Sequence, residues 1–114
     1  LTKASESLNK RLDNPGIEKG ITVTSSGFYG PQGRRLRLPL VETEMLNSFS
    51  DFKHKEIRFA NLEMECSALF SLGSALGHET TAICLGLANR RKKEFTTNYE
   101  TKITELIEYV LDKI

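Results

Sequence analysis

Apolar and polar residues change their spacing several times along the chain, and each change marks a predicted element. Near the end, Ile103, Leu106, Ile107, Val110, Leu111 and Ile114 share one stripe at helical spacing. Thr97-x-x-Glu100 precedes them and reads as a capping box, so an amphipathic C-terminal helix packed on a sheet is predicted. Ala68, Leu69, Leu72, Ala75 and Leu76 share the face of another helix, with Gly77 as its stop. Residues 57–62, just before it, alternate apolar and polar like a short strand, and residues 20–27 are β-branched and predict a second. Residues 82–88 form a continuous apolar run, the pattern of a central parallel strand covered on both faces. Residues 1–12 and 41–52 are predicted as short helices. Asp13-Asn14-Pro15-Gly16 stops the first, and Met45, Leu46 and Phe49 face inward in the second.

Alternating strands and helices imply an α/β class with right-handed crossovers and a mainly parallel sheet. Three strands then end at Gly27, Leu62 and Ala88. Polar residues follow each at once: Gln32 and Arg34, Glu63 and Glu65, Asn89 and Arg90. Ligands of open α/β sheets bind at the carboxyl ends of strands, so this edge is the candidate site.

A carboxylate can accept hydrogen bonds from two neighbouring hydroxyls, as on a ribose. Glu65 suits this if it lies in the first helical turn, where the dipole favours negative charge. Met64 offers a soft apolar surface to a sugar face. The alternative for Glu63 and Glu65 is plain decoration of a helix start, where acids are common. In the loop Phe28-Tyr29-Gly30-Pro31-Gln32-Gly33-Arg34, Gln32 sets a donor beside an acceptor, matching the edge of a pyrimidine-dione. Arg34 can bond a carbonyl oxygen and stabilise charge gathering there, and Phe28 can lie against the ring. The same loop also reads as a surface turn whose aromatics fill a gap.

Composition narrows the classes. One domain is the limit for 114 residues, and sixteen basic against fifteen acidic residues leave a formal charge of +1. No global field therefore selects nucleic acid or anionic lipid. The run Arg34-Arg35-Leu36-Arg37-Leu38 is either a phosphate patch or a solvated strand edge, and acids after Pro39 offset it. No apolar run is long enough for a membrane span, and no stretch has the shape of a signal peptide. Cys66 and Cys84 have no metal-type spacing and read as free buried thiols in a reducing, cytoplasmic setting. His54 and His78 lie in polar segments, and neither a metal-ligand cluster nor a Ser/His/Asp arrangement is present.

Three motifs, in order and spacing, carry a resemblance: Phe28-Tyr29-Gly30-Pro31-Gln32-Gly33-Arg34, Glu63-Met64-Glu65-Cys66-Ser67-Ala68 and Leu87-Ala88-Asn89-Arg90. Together they resemble the C-terminal half of the uridine phosphorylase branch of the nucleoside phosphorylase superfamily. The resemblance implies a three-layer α/β/α fold with a mixed, mainly parallel central sheet, of which only the C-terminal part is present. It implies that Phe28, Gln32, Arg34, Leu87, Ala88 and Arg90 form the uracil site, with Arg90 bracing the Gln32/Arg34 loop. Glu63, Met64 and Glu65 would meet the ribose, and Arg34 and Glu65 would be the catalytic pair. The implied reaction is phosphorolysis of uridine, with inorganic phosphate as co-substrate and no cofactor. The family holds phosphate on segments that have no match here, so a missing N-terminal half is expected as partner, and the fragment alone is expected to be inactive. Homo-oligomers from dimer to hexamer are implied as well. A non-catalytic nucleoside-binding module, a nucleosidase and a purine nucleoside phosphorylase relative are the alternatives. The purine branch fits less well, because its catalytic Asp has no counterpart among Leu87, Ala88, Asn89 and Arg90.

Overall fold

A computed structural model describes residues 1–114 as a mixed α/β structure. Its elements are α1 (Glu6–Arg11), β1 (Ile21–Thr24), α2 (Met45–Asp51), β2 (Lys53–His54), β3 (Ile57–Glu63), α3 (Cys66–Ala75), β4 (Ala88–Asn89), β5 (Glu94–Phe95) and α4 (Tyr99–Lys113). β3 is the middle strand of a three-stranded mixed sheet. β1 pairs with it in parallel, setting Val23 opposite Leu62 and Thr24 opposite Glu63, while β2 pairs antiparallel. β4 and β5 form a separate hairpin.

Local chemistry explains these elements. β-branched Ile21, Thr22, Val23 and Thr24 suit a pleated, half-buried strand. Gly20, just before β1, lets the strands approach, since a Cβ there would fall 2.4 Å from the Cβ of Ala60. α2 lies against β3, where Phe49 stacks on Phe59 with centroids 5.6 Å apart. α3 stops as predicted. Gly77 takes φ +74°, and the N–H groups of Gly77 and His78 donate to the carbonyls of Ser74 and Gly73.

Four expectations are corrected. Residues 82–88 are not a central strand: only Ala88 enters a ladder, in the β4–β5 hairpin. A covered parallel strand needs ladder neighbours and a layer on each face, and the chain supplies neither there. The residues just before that segment lie beside α1, where Ser5 N–H donates to Thr80 O at 2.7 Å. α4 forms, yet it does not pack on the sheet, and Ile107, Leu111 and Ile114 are more than half exposed. Three short strands offer too little face to cover a fifteen-residue helix. The capping box is not made either: Asn98, at φ +55°, is the N-cap residue, with no side-chain cap bond. Finally, Cys84 is exposed, because the run that carries it is uncovered, whereas Cys66 is buried.

Leu12 and Cys66 are the buried hydrophobic residues, so the core is thin. The radius of gyration is 15.5 Å, against about 13 Å for a compact domain of this length. No helix is long and apolar enough to cross a membrane.

Candidate functional site

The parallel β1–β3 pairing brings two loops to one sheet edge. β1 ends at Thr24 opposite Glu63, and Ser25 N–H continues the ladder to Glu63 O at 2.9 Å. The loop bearing Phe28, Gln32 and Arg34 leaves from that end of β1. Met64 and Glu65 leave from the adjoining end of β3.

Residues 28–34 are held largely by their own bonds. Gly30–Gln32 is a 3₁₀ turn, with Pro31 near its start and Gly33 closing it at φ +66°. Adding a Cβ there would force the left-handed region on a residue that disfavours it. Gln32 is buried at 4% exposure. Arg34 lies over the Phe28 ring, 3.7 Å from its centroid, and Phe28 meets Tyr29 edge-on. Its Nη1 donates to Phe28 O at 2.6 Å and to Gln32 Oε1. One lone pair of the Gln32 side-chain oxygen is therefore used inside the loop, while its other lone pair and Nε and Nη2 of Arg34 remain for a ligand.

Arg90 joins this loop to the hairpin. Its Nη1 donates to Gln32 O and its Nη2 to Gly33 O at 2.9 Å. Burial and then the nearby Arg34 charge lower its pKa, although a guanidinium stays protonated near neutrality. Leu87 and Ala88, on the same hairpin, are exposed, as is Phe28.

Glu63, Met64 and Glu65 form the turn into α3. Glu63 Oε2 accepts from the N–H groups of Glu65 and Cys66, each at 2.6 Å, and its Oε1 accepts from the Thr24 hydroxyl. Burial opposes the charge on Glu63, but these bonds outweigh it and hold the carboxyl below its ordinary range. Glu65 sits at the N-cap position, one residue before the first turn that would have set it fully in the dipole. Its carboxylate accepts only from Met64 N–H, at 3.2 Å, and both residues are exposed. Of the two acids, Glu65 is thus the one with lone pairs to offer a ligand. Behind the turn, burial pushes the Cys66 thiol up to about 12, helped by Glu63 and the neighbouring Cys84, so it stays neutral. A separate concavity of about 600 Å³ lies between α1 and the end of α3 and is lined by Ser5, Ser7, His78 and Glu79.

The phosphorylase superfamily matches residues 1–112. The chain belongs to that superfamily. A uridine phosphorylase from Thermococcus kodakarensis is 32% identical over 95 residues, covering 83% of this chain and 32% of that protein. The chain thus spans about a third of the length of the curated relative it matches. No solved structure gives a significant match. In this superfamily member, sequence reasoning passed over Thr24. Its β-branch marked it as strand material, and nothing in local spacing ties it to a glutamate 39 residues away.

Proposed function

We propose that this chain is the base- and ribose-binding part of a uridine phosphorylase, an enzyme releasing uracil and ribose 1-phosphate in cytoplasmic pyrimidine salvage. One observation supports the reading: the parallel register of β1 and β3 sets side by side the strand ends from which the Gln32/Arg34 loop and the Met64–Glu65 turn leave. In this reading Gln32 and Arg34 hold the uracil edge and Phe28 lies on its ring. Leu87 and Ala88 wall the base, Arg90 braces the loop, and Glu65 takes the ribose hydroxyls beside Met64. Glu63 lies at the sugar end and shapes the turn. The complete enzyme has a three-layer α/β/α fold. Its remaining segments, on an N-terminal half and a neighbouring subunit of a dimer or hexamer, hold phosphate and cover the exposed apolar faces.

The chemistry follows from these roles. Phosphate attacks the anomeric carbon as the bond to uracil breaks, and positive charge builds on the sugar. Glu65 fixes the ribose in reach of phosphate. Arg34 and Gln32 receive the electron pair's charge on the leaving uracil, which is largest in the transition state.

The test is release of uracil by the full-length protein with and without phosphate. Release only with phosphate is expected. Release without phosphate makes the protein a nucleosidase, and binding without release makes it a nucleoside-binding module. The 114-residue chain alone should bind uridine weakly and not turn it over.

A further inference from the structure

Thr24 is the last residue of β1 and is half-buried. A hydroxyl has one donor and two acceptor positions, and Thr24 uses both kinds. It donates to Glu63 Oε1, and it accepts from Ser67 N–H at 3.0 Å. Ser67 is in the first turn of α3, where backbone N–H groups have no partner within the helix. One oxygen thus joins the end of β1, the end of β3 and the start of α3. Glu63 completes the connection by taking the N–H groups of Glu65 and Cys66 on its other oxygen. The three-residue turn is pinned at both ends, which leaves Met64 and Glu65 as its outward members.

Thr22, two residues earlier on the same strand, gives the contrast. Its hydroxyl also bonds a β3 side chain, Asn61 Oδ1 at 2.7 Å, but it makes no bond to the helix. A threonine that only joined the two strands would look like Thr22.

We infer, resting on the nucleoside reading above, that Thr24 is a positioning residue of the sugar site, its hydroxyl fixing the turn that presents Met64 and Glu65 to a ribose. It touches no substrate and acts through Glu63 and the α3 N-terminus. Thr24→Val keeps the shape and removes the hydroxyl, Thr24→Ser keeps the hydroxyl, and Thr22→Val removes a comparable bond that does not reach the turn.

Three quantities are measured in the intact protein: uridine affinity, amide exchange at Ser67, and the carboxyl titration of Glu63 by NMR. The Cys66 thiol also faces that carboxylate, and it stays neutral across the titration. Thr24→Val should weaken uridine binding about tenfold and speed Ser67 exchange by a similar factor, through loss of the charge-assisted bond to Glu63 and of the bond from Ser67 N–H. Glu63 should then titrate at higher pH, since its ionised form loses a donor. Thr24→Ser should restore all three to within about twofold, and Thr22→Val should leave them unchanged. Wild-type values of affinity and exchange in Thr24→Val overturn the inference, and so does an equal loss in Thr22→Val. A wild-type protein that binds no uridine while Ser67 exchange still follows Thr24 fails differently: the nucleoside reading falls, and the sugar role with it, but not the clamp.

Discussion

Replacing Arg90 by alanine removes both bonds that the β4–β5 hairpin makes to the candidate base loop, at Gln32 O and Gly33 O. A hydrogen bond from a charged donor contributes about 1.5–3 kcal/mol when shielded from water. Arg90 is half-buried and the freed carbonyls can hydrate, so the two bonds together should contribute about 2 kcal/mol rather than the full sum. Within the loop, the N–H groups of Gly33 and Arg34 still donate to Gly30 O and Tyr29 O, at 2.8 Å each. The loss is therefore local, an easier opening of the loop and not unfolding of the chain. About 2 kcal/mol corresponds to roughly thirtyfold in an equilibrium. Amide hydrogen exchange at Gly33 and Arg34 reads it directly and should speed up by that factor in Arg90→Ala. Arg90→Lys keeps the charge but cannot fork onto two carbonyls, so it should recover only part of the protection. If exchange at both amides stays at the wild-type rate in Arg90→Ala, the hairpin does not support the loop and the bracing role is wrong.

Three further outcomes are expected. A Cβ at Gly73 would lie 2.2 Å from Thr80 Cγ2, so Gly73→Ala should lower stability by about 1–3 kcal/mol in urea unfolding; adding Thr80→Ser, which removes that methyl, should recover most of it, and no recovery would mean the strain lies elsewhere. On the proposed uridine reading, Arg34→Ala in the full-length protein should reduce kcat for uridine more than it raises KM, because the charge Arg34 would meet develops in the transition state, and an unchanged kcat removes it from that role. The Glu63 carboxyl is held below its ordinary value of 4.5, so its contribution is complete above that value and is lost as pH falls through the lower folded-state value; the protection of the Cys66 amide, its exchange taken relative to an unprotected amide at the same pH, should stay flat near neutrality and fall only in that acid range, and Glu63→Gln should abolish the acid step.

Much of the local structure is written in the residues themselves. The 57–63 strand, the helix that follows and its stop at Gly77 need only alternation, a 3.6-residue period and one glycine free to take positive φ. The loop motif around Gln32 and Arg34 was equally legible, because Pro31 and Gly33 define its turn. The two failures in element placement share a cause. An apolar run such as residues 82–88, or a stripe such as that of α4, states that a segment has a face to bury. It does not state whether a neighbour is present to cover it.

What the sequence determined alone was therefore most of the elements, the order of the chemical groups and the family they resemble. Tertiary structure decided which of those groups meet. Only the parallel register of β1 on β3 puts Thr24 beside Glu63, engages the first acid of the turn internally and leaves Glu65 as the available one. Likewise, only the packing of the hairpin sets Arg90 under the carbonyls of Gln32 and Gly33, 58 and 57 residues away in the chain. Hydrogen bonds depend on distance and direction in space, and neither is encoded in local spacing once the partners lie on different elements.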